Sequence, residues 1–582
     1  MNSTKRKIVQ RATLLALFTA LVMAYSCSPE TAELEDGLEK RNGKTNTSIL
    51  KTLVRGASLN AANGIDIGPD GNLYIASVNG QEIIVMDKNN GKIIDRITEG
   101  VQSPDDLVFG SDGSLYWTDI ITGEVGKLSP DRTSFKKQAF LPGVNPIAFN
   151  DEDRLFIALD FLGDGLYEFD TDLDDDPRTI IECPTGFCLG FFNSFDFGPD
   201  GLLYGPLFAL GQVIKVNVEN GDYETVATGF VNPAAAKFGP DGLLTVLDQT
   251  GEVWKVDTKG APPGNKTLFT TLQPGLDNMV FDDDGSLYMT NNDEGWVAEI
   301  LPSGQARILS PGGMIVPQGI AVMPGKNQDI IFQADLFTLR QFNGQSGQQE
   351  DQFKGFLVPP PGVLSLTLPQ NISVSGDDLV ISSFFSSTVQ VFNPESGEVL
   401  PGQDYADQVI APIDAVRLNS GEVIVSDIAL GGVFRMTDNL QLVPLVAASG
   451  LVTDGESVWA ADWGTGNIFR IDFDAGTPTS NLVASGLSFP EGLALDNEGR
   501  LLVFETKGLN PTFVPRLSRI DFSSGTAERT TIVEGLAPKE GGLPGFPPMW
   551  LFDGVDVGAS GDIYLTGGED NVIHKISKNK VR

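Results

Sequence analysis

The sequence holds one histidine, His574, and three cysteines, set against 77 Asp+Glu and 40 Lys+Arg, for a formal charge of -37. That inventory removes Ser-His-Asp triads and histidine-rich zinc sites and leaves chemistry done by oxygen. The candidates recur at one place in a repeated phrase, just before a short apolar run. They are Asn63, Asp105, Asn145, Asn193 and Asp277 in the first half of the chain, and Asp414, Glu491 and Asp553 in the second. Carboxylates and Asn carbonyls brought to one point suit a hard divalent cation, calcium above all. Without a cation they would repel and raise one another's pKa, and one left over could act as a base on water. For any single residue the plainer role is to cap backbone N–H groups and shape a turn. The acidic balance excludes a nucleic-acid partner, which needs a basic patch.

These residues need elements that aim them together, and the repeat supplies them. Asn63-Gly-Ile-Asp-Ile-Gly-Pro-Asp-Gly-Asn-Leu-Tyr-Ile-Ala-Ser returns as Asp105-Asp-Leu-Val-Phe-Gly-Ser-Asp-Gly-Ser-Leu-Tyr-Trp-Thr-Asp. It returns again as Asp277-Asn-Met-Val-Phe-Asp-Asp-Asp-Gly-Ser-Leu-Tyr-Met-Thr-Asn. Apolar residues alternate on both sides of an Asp-Gly turn, the pattern of a hairpin. Repeat starts fall at Asn63, Asp105, Asn145, Asn193, Ala234 (or Asn232), Asp277, Gln318, Gln370, Asp414, Ser449, Glu491 and Asp553. Spacings of mostly about 40–50 residues match four-stranded propeller blades. The expected fold is all-β: two tandem six-bladed β-propellers of four-stranded antiparallel blades, residues 48–303 and 304–582. One ring of twelve would leave a wide empty axis. Residues 48–57 are expected to clasp the sixth blade, and 305–308 to open the second ring.

The N-terminus reads as an address. Lys5, Arg6, Lys7 and Arg11 precede an apolar run over 12–24, then Ala-Tyr-Ser-Cys27. Residues 1–27 thus resemble a lipoprotein-type signal with lipidation at Cys27, and 28–47 a flexible tether. The expected location is the bacterial cell envelope, lipid-anchored and facing the outer membrane or periplasm; an ordinary secretory signal is the alternative. Contact with a membrane would be through that anchor alone. In an oxidising compartment Cys183 and Cys188 are expected to form a disulfide closing a small loop.

The blade phrases resemble the six-bladed calcium-dependent lactonase family that includes gluconolactonase and regucalcin, and also NHL-type repeats. The resemblance spans both halves. It implies Ca2+ or another divalent cation on a ring axis, held by a Glu, an Asn and an Asp. Pro490-Glu491-Gly492 resembles the family's Glu phrase, Phe552-Asp553-Gly554 its Asp phrase, and Asn63-Gly64 its Asn phrase. It implies Asp553, Glu491 and Asp105 as catalytic candidates, with hydrolysis of lactones or small esters as the activity. Neither half carries the whole set: the first lacks the Glu phrase and the second the Asn-Gly. The alternative is a non-catalytic propeller that binds a glycan, peptide or protein partner. A lyase of the streptogramin-inactivating kind is disfavoured, since such sites are expected to use a mouth histidine, and His574 falls in a third strand. Loop residues Phe187, Leu189, Phe191 and Phe192, and those in 507–515 and 536–551, are expected to wall a mouth or to bury a contact between rings.

Overall fold

The computed structural model describes residues 49–183, 188–259, 265–357, 359, 362–473, 477–508, 510–538 and 552–580. The signal, Cys27, the tether, Phe187 and Phe546, Met549 and Trp550 of the 536–551 loop lie outside the described residues. Among the described residues the chain forms twelve four-stranded antiparallel sheets, consistent with propeller blades. They divide into two compact units, residues 57–315 and residues 316–538 with 49–56 and 552–580.

In the first unit the six sheets span residues 65–97, 104–139, 144–182, 196–228, 233–271 and 276–310. Each follows the repeated phrase. Gly71 and Gly113 close the Asp-Gly turns at φ 77° and 82°, a region where a Cβ would be strained. The second strand of a sheet, such as Leu73–Ser77 or Leu115–Asp119, is buried throughout. That is why it begins with three large apolar or aromatic residues in a row. Sheets pack face to face through such runs: Tyr74, Ala76, Ile83 and Val85 of one sheet share a core with Leu107, Leu115 and Trp117 of the next. The first strands of neighbouring sheets touch in order, and Leu276–Phe281 of the sixth returns to Ile65–Ile67 of the first. The Thr290 hydroxyl closes this cycle by donating to the carbonyl of Asn63 at 2.6 Å.

The second unit repeats the plan over residues 320–354, 371–404, 412–444, 448–484, 490–534 and 555–576. Its cycle closes where Val555–Val557 meets Ile320–Pro324. There the Asp556 carboxylate accepts the Val322 N–H at 2.7 Å.

The closing strands differ from the expectation. Ala306–Ser310 pairs with Val297–Ile300 and completes the sixth sheet of the first unit. Leu50–Arg55 pairs instead with Val572–Ile576, as the outer strand of the last sheet of the second. Ala306–Ser310 follows its partner through a tight turn at Gly304, and a short closure costs far less chain entropy than fetching a remote strand. The last sheet has three strands of its own, and a single 3-10 turn, Lys578–Lys580, follows them. Leu50–Arg55 occupies its outer edge. The second unit accordingly takes up residues 49–56 together with the chain from 316, while 306–310 stay with the first.

Removing residues 1–55 should lower the unfolding midpoint of the second unit by several degrees relative to removing 1–48, because the edge of Val572–Ile576 is bared. Calorimetry should show one of two transitions shifting and the other staying in place.

Candidate functional site

Strand register decides which side chains share a face. In the first unit, Asn63, Asp105, Asn145, Asn193, Ala234 and Asp277 occupy one equivalent position at the start of the first strands. This is the set expected from the sequence. Asp105 is 8 % exposed and the three Asn are comparably buried. Asn145 Nδ2 donates to Asp160 at 2.8 Å and reaches Asn193 Oδ1 at 3.4 Å. Asn63 Nδ2 donates to Asn292 Oδ1 at 3.2 Å.

Asp160 is the focus of this mouth. It is fully buried, and its Oδ1 meets no hydrogen-bond donor among the described residues. Burial pushes its carboxyl well above the usual range, and the charges of Asp105 and Asp277 push it further. Burial also lifts Asp105 to about 7, helped by the charge of Asp106.

Why Asp160 differs from the other acids ending second strands is a matter of one residue. Asp119 lies opposite Pro104 and Asp248 opposite Pro233, but Leu159 takes that place opposite Val144. Asp160 is therefore one step on, and a one-step slip turns a strand side chain to the other face. Asp119 accepts the N–H groups of Gln102 and Ser103 at 3.0 and 2.8 Å and pairs with Lys137 at 2.9 Å. Asp248 accepts the Val231 N–H at 2.7 Å. These two acids shape the loops that approach the first strands.

One step deeper, three sheets are tied together. Asn278 donates to Asp106 and accepts from Ser194, both at 2.9 Å. Sequence reasoning missed this layer. Its signal was present in the polar doublets Asp105-Asp106, Asn193-Ser194 and Asp277-Asn278, whose second members must face away from the first.

In the second unit Gln318, Gln370, Ser449, Glu491 and Asp553 hold the equivalent mouth position, but Asp414 does not. Asp414 lies opposite Ser426, as Asp106 lies opposite Thr118, so Ile413 takes the mouth place. The Asp414 carboxylate turns into the sheet interface and accepts the N–H groups of Ala415 and Leu451, both at 2.8 Å. Burial lifts it to about 7. It thus fastens one sheet to the next, away from the mouth position expected of it.

Glu491 accepts from the Thr506 hydroxyl at 3.1 Å and from the Asp553 N–H at 3.2 Å. Its carboxyl is pushed well up by burial and then by the charge of Asp553. Asp553 in turn accepts the Gly568 N–H at 2.8 Å. Asp335, Asp427, Asp462 and Glu505 accept N–H groups from the approach loops of their own sheets, as Asp119 does.

Among the described residues, no three carboxylates at either mouth gather within 4.8 Å of one another as the side chains stand. Among the described residues, the group of three acid, His or Cys ligands gathered within 4.8 Å is Asp164, Cys183 and Cys188. The cysteines there form the expected disulfide, with Cα atoms 5.4 Å apart. Asp164 Oδ2 pins that loop by accepting the N–H groups of Cys188 and Leu189 at 2.7 Å and Gly190 at 2.9 Å. Leu189 and Phe192 of the loop are buried in the core between two sheets of their own unit. The oxygen set that fits a cation better is in the first unit, where a buried carboxylate oxygen lacks a partner beside Asn amides. In the second unit, Glu491 and Asp553 are already tied to neighbouring hydroxyl and N–H groups.

No family model matches the chain, and no curated protein matches it. Solved structures resemble it in fold. A streptogramin B lyase is 15% identical with a TM-score of 0.37, covering 49% of this chain and 94% of the lyase. The virginiamycin B lyase from Staphylococcus aureus is 14% identical with a TM-score of 0.36, covering 48% and 94%. An extracellular domain of a one component system from B. thetaiotaomicron is 11% identical with a TM-score of 0.30, covering 91% and 83%. These are β-propeller proteins. No helix among the described residues is long and apolar enough to cross a membrane.

Asp414 should make the second unit pH-sensitive. Its carboxyl ionises near pH 4 unfolded but near about 7 when folded. The folded state therefore holds the proton longer, and stability should fall as pH rises from about 4 through about 7, by up to about 4 kcal/mol. Asp414→Asn should flatten that fall in urea midpoints measured across the range.

Proposed function

We propose that the chain folds as two six-bladed β-propellers in tandem, and that the first binds a divalent cation, calcium foremost, at its mouth. Asp105, Asp160 and Asp277, with Asn145 and Asn193, would hold it. The reading rests on the fully buried Asp160 Oδ1, which has no donor among the described residues and sits within the field of two further acids. A bound cation would offset their repulsion and offer a point of attachment for an oxygen-rich small ligand, a glycan or lactone. The N-terminal phrase supports export and lipid anchoring at Cys27 on the bacterial cell envelope. In this reading the protein is a surface binding module.

The test is calorimetric titration of chelator-treated protein with calcium. A single saturable site that weakens at least about tenfold in Asp160→Asn supports the proposal. Absence of binding in the wild type sinks it.

A second reading is hydrolysis of lactones or small esters at the second mouth. Glu491 and Asp553 favour it: the Glu491 carboxylate accepts the Asp553 N–H, and burial followed by the charge of Asp553 pushes the Glu491 carboxyl well up, towards the range of a general acid. Gluconolactone hydrolysis measured before and after chelation, and in Glu491→Gln, decides it. Turnover lost in the variant supports the reading, and equal, negligible rates throughout dismiss it.

A further inference from the structure

A half-open cavity of about 250 Å³ lies in the second unit between the sheets spanning 448–484 and 490–534. That is far above the roughly 10–15 Å³ that a single water needs. Ala484, Leu487, Ile520 and Ala527 give it aliphatic walls, and Ser485, Gly486 and Arg529 its polar side. Ala484 ends the outer strand Thr479–Ala484, Ile520 stands on Arg516–Asp521, and Arg529 on the outer strand Glu528–Glu534. The cavity therefore draws on third and fourth strands and the loop between the sheets. It is separate from the first strands that carry the mouth residues.

The guanidinium of Arg529 is placed by its contacts. Its Nη1 donates to the Gly486 carbonyl at 3.0 Å, which holds the group against the cavity wall. The same nitrogen lies 3.6 Å from Glu505 Oε2. Glu505, fully buried, is already supplied with donors. It accepts the Ser488 N–H at 2.9 Å, the Ser518 hydroxyl, and Arg516 through Nε at 3.0 Å and Nη2 at 3.4 Å. Those four donors match the four lone-pair sites of a carboxylate. Two guanidiniums thus stand around one carboxylate, and the charge of Arg529 is in surplus. Its Nε and Nη2 have no partner among the described residues. Glu528, the residue before it, lies on the other face of the strand.

The two sides of the cavity narrow the choice of ligand. A cation would meet the surplus charge of Arg529. A bare inorganic anion would leave the aliphatic walls uncovered. A guanidinium fork matches the planar oxygens of a carboxylate, and Leu487, Ile520 and Ala527 suit a few methylenes attached to it.

We infer that the second unit carries a binding site for a short aliphatic carboxylate, its oxygens on Arg529 and its alkyl chain against Leu487, Ile520 and Ala527. The site depends neither on the cation proposed for the first mouth nor on hydrolysis at the second.

Saturation-transfer NMR on the full chain tests the inference with butyrate and with butyramide, its neutral isostere. Saturation should reach the methyl group of butyrate and not that of butyramide. Arg529→Gln should weaken butyrate binding about tenfold or more. Ala527→Leu, which fills the cavity from an exposed position, should weaken it at least as much. Inorganic phosphate at equal concentration should leave the butyrate signal in place. Absence of transfer in the wild type, equal transfer to both probes, displacement by phosphate, or unchanged binding in either variant overturns the inference. Should Arg529→Gln fail to fold, Ala527→Leu and the two probes still decide.

Discussion

The face a strand residue presents flips with every step along the chain, and the rest of this molecule depends on that alternation. Asp105 opens on a mouth while Asp106 ties three sheets together. Leu159 takes the place that Asp119 and Asp248 fill elsewhere, so Asp160 comes to the mouth. Ile413 takes the place expected of Asp414, so Asp414 fastens a sheet interface. In each case the chemistry follows from a single residue of register. What holds the register is buried hydrogen bonding between neighbouring sheets. Thr118 donates to the carbonyl of Asn145, Ser426 to that of Ser449, and Ser382 to that of Ile413, at 2.7 to 2.8 Å. Each such hydroxyl joins a second strand to the first strand of the next sheet, and one residue of slip would leave it buried without a partner.

Much of this was legible in the sequence because the Asp-Gly turn marks the register of each repeat directly. Counting back from the turn placed Asn63, Asp105, Asn145, Asn193 and Asp277 correctly, and Glu491 and Asp553 with them. The same count from Gly421 lands on Ile413, and Asp414 is the next residue, opposite Ser426, so choosing the acid over the apolar residue misplaced it by one step. The strands that close the two units were also misread. A strand's partner is set by competition among edges, and two short apolar strands with similar patterns carry no local mark of which edge each will find. The loop residues Leu189 and Phe192 were illegible for a related reason. Apolar side chains in a loop signal burial, but not what they are buried against.

The two mouths, built on one plan, offer opposite chemistry. The first presents buried carboxylates and Asn amides, with an oxygen lacking a donor. The second presents Gln318, whose Nε2 meets no acceptor among the described residues, apolar side chains, and Glu491, whose carboxyl burial pushes well up. The excess of acid in the composition therefore has no single meaning. Some acids are loop caps, as at Asp119, Asp248 and Asp427. Others, such as Asp414 and Asp556, bind sheet to sheet. A third set, Asp105, Asp160 and Asp277, faces the first mouth. The scarcity of histidine confines any proton transfer to these carboxyls.

The strand Leu50–Arg55 has a consequence for the order of events in synthesis. It is made before any residue of the first unit, yet its partner, Val572–Ile576, is made last. The whole first unit is thus an insertion between one outer strand of the second unit and the remainder of it. A chain emerging from the ribosome, or threading through a translocation pore, could complete the first unit while the second still stands open at one edge. Closure of that edge joins residues more than 500 positions apart, a contact of very high order and correspondingly slow to find. Until it forms, the strand Val572–Ile576 is an unpaired template for other chains, so the last step of folding is also the one most exposed to mispairing.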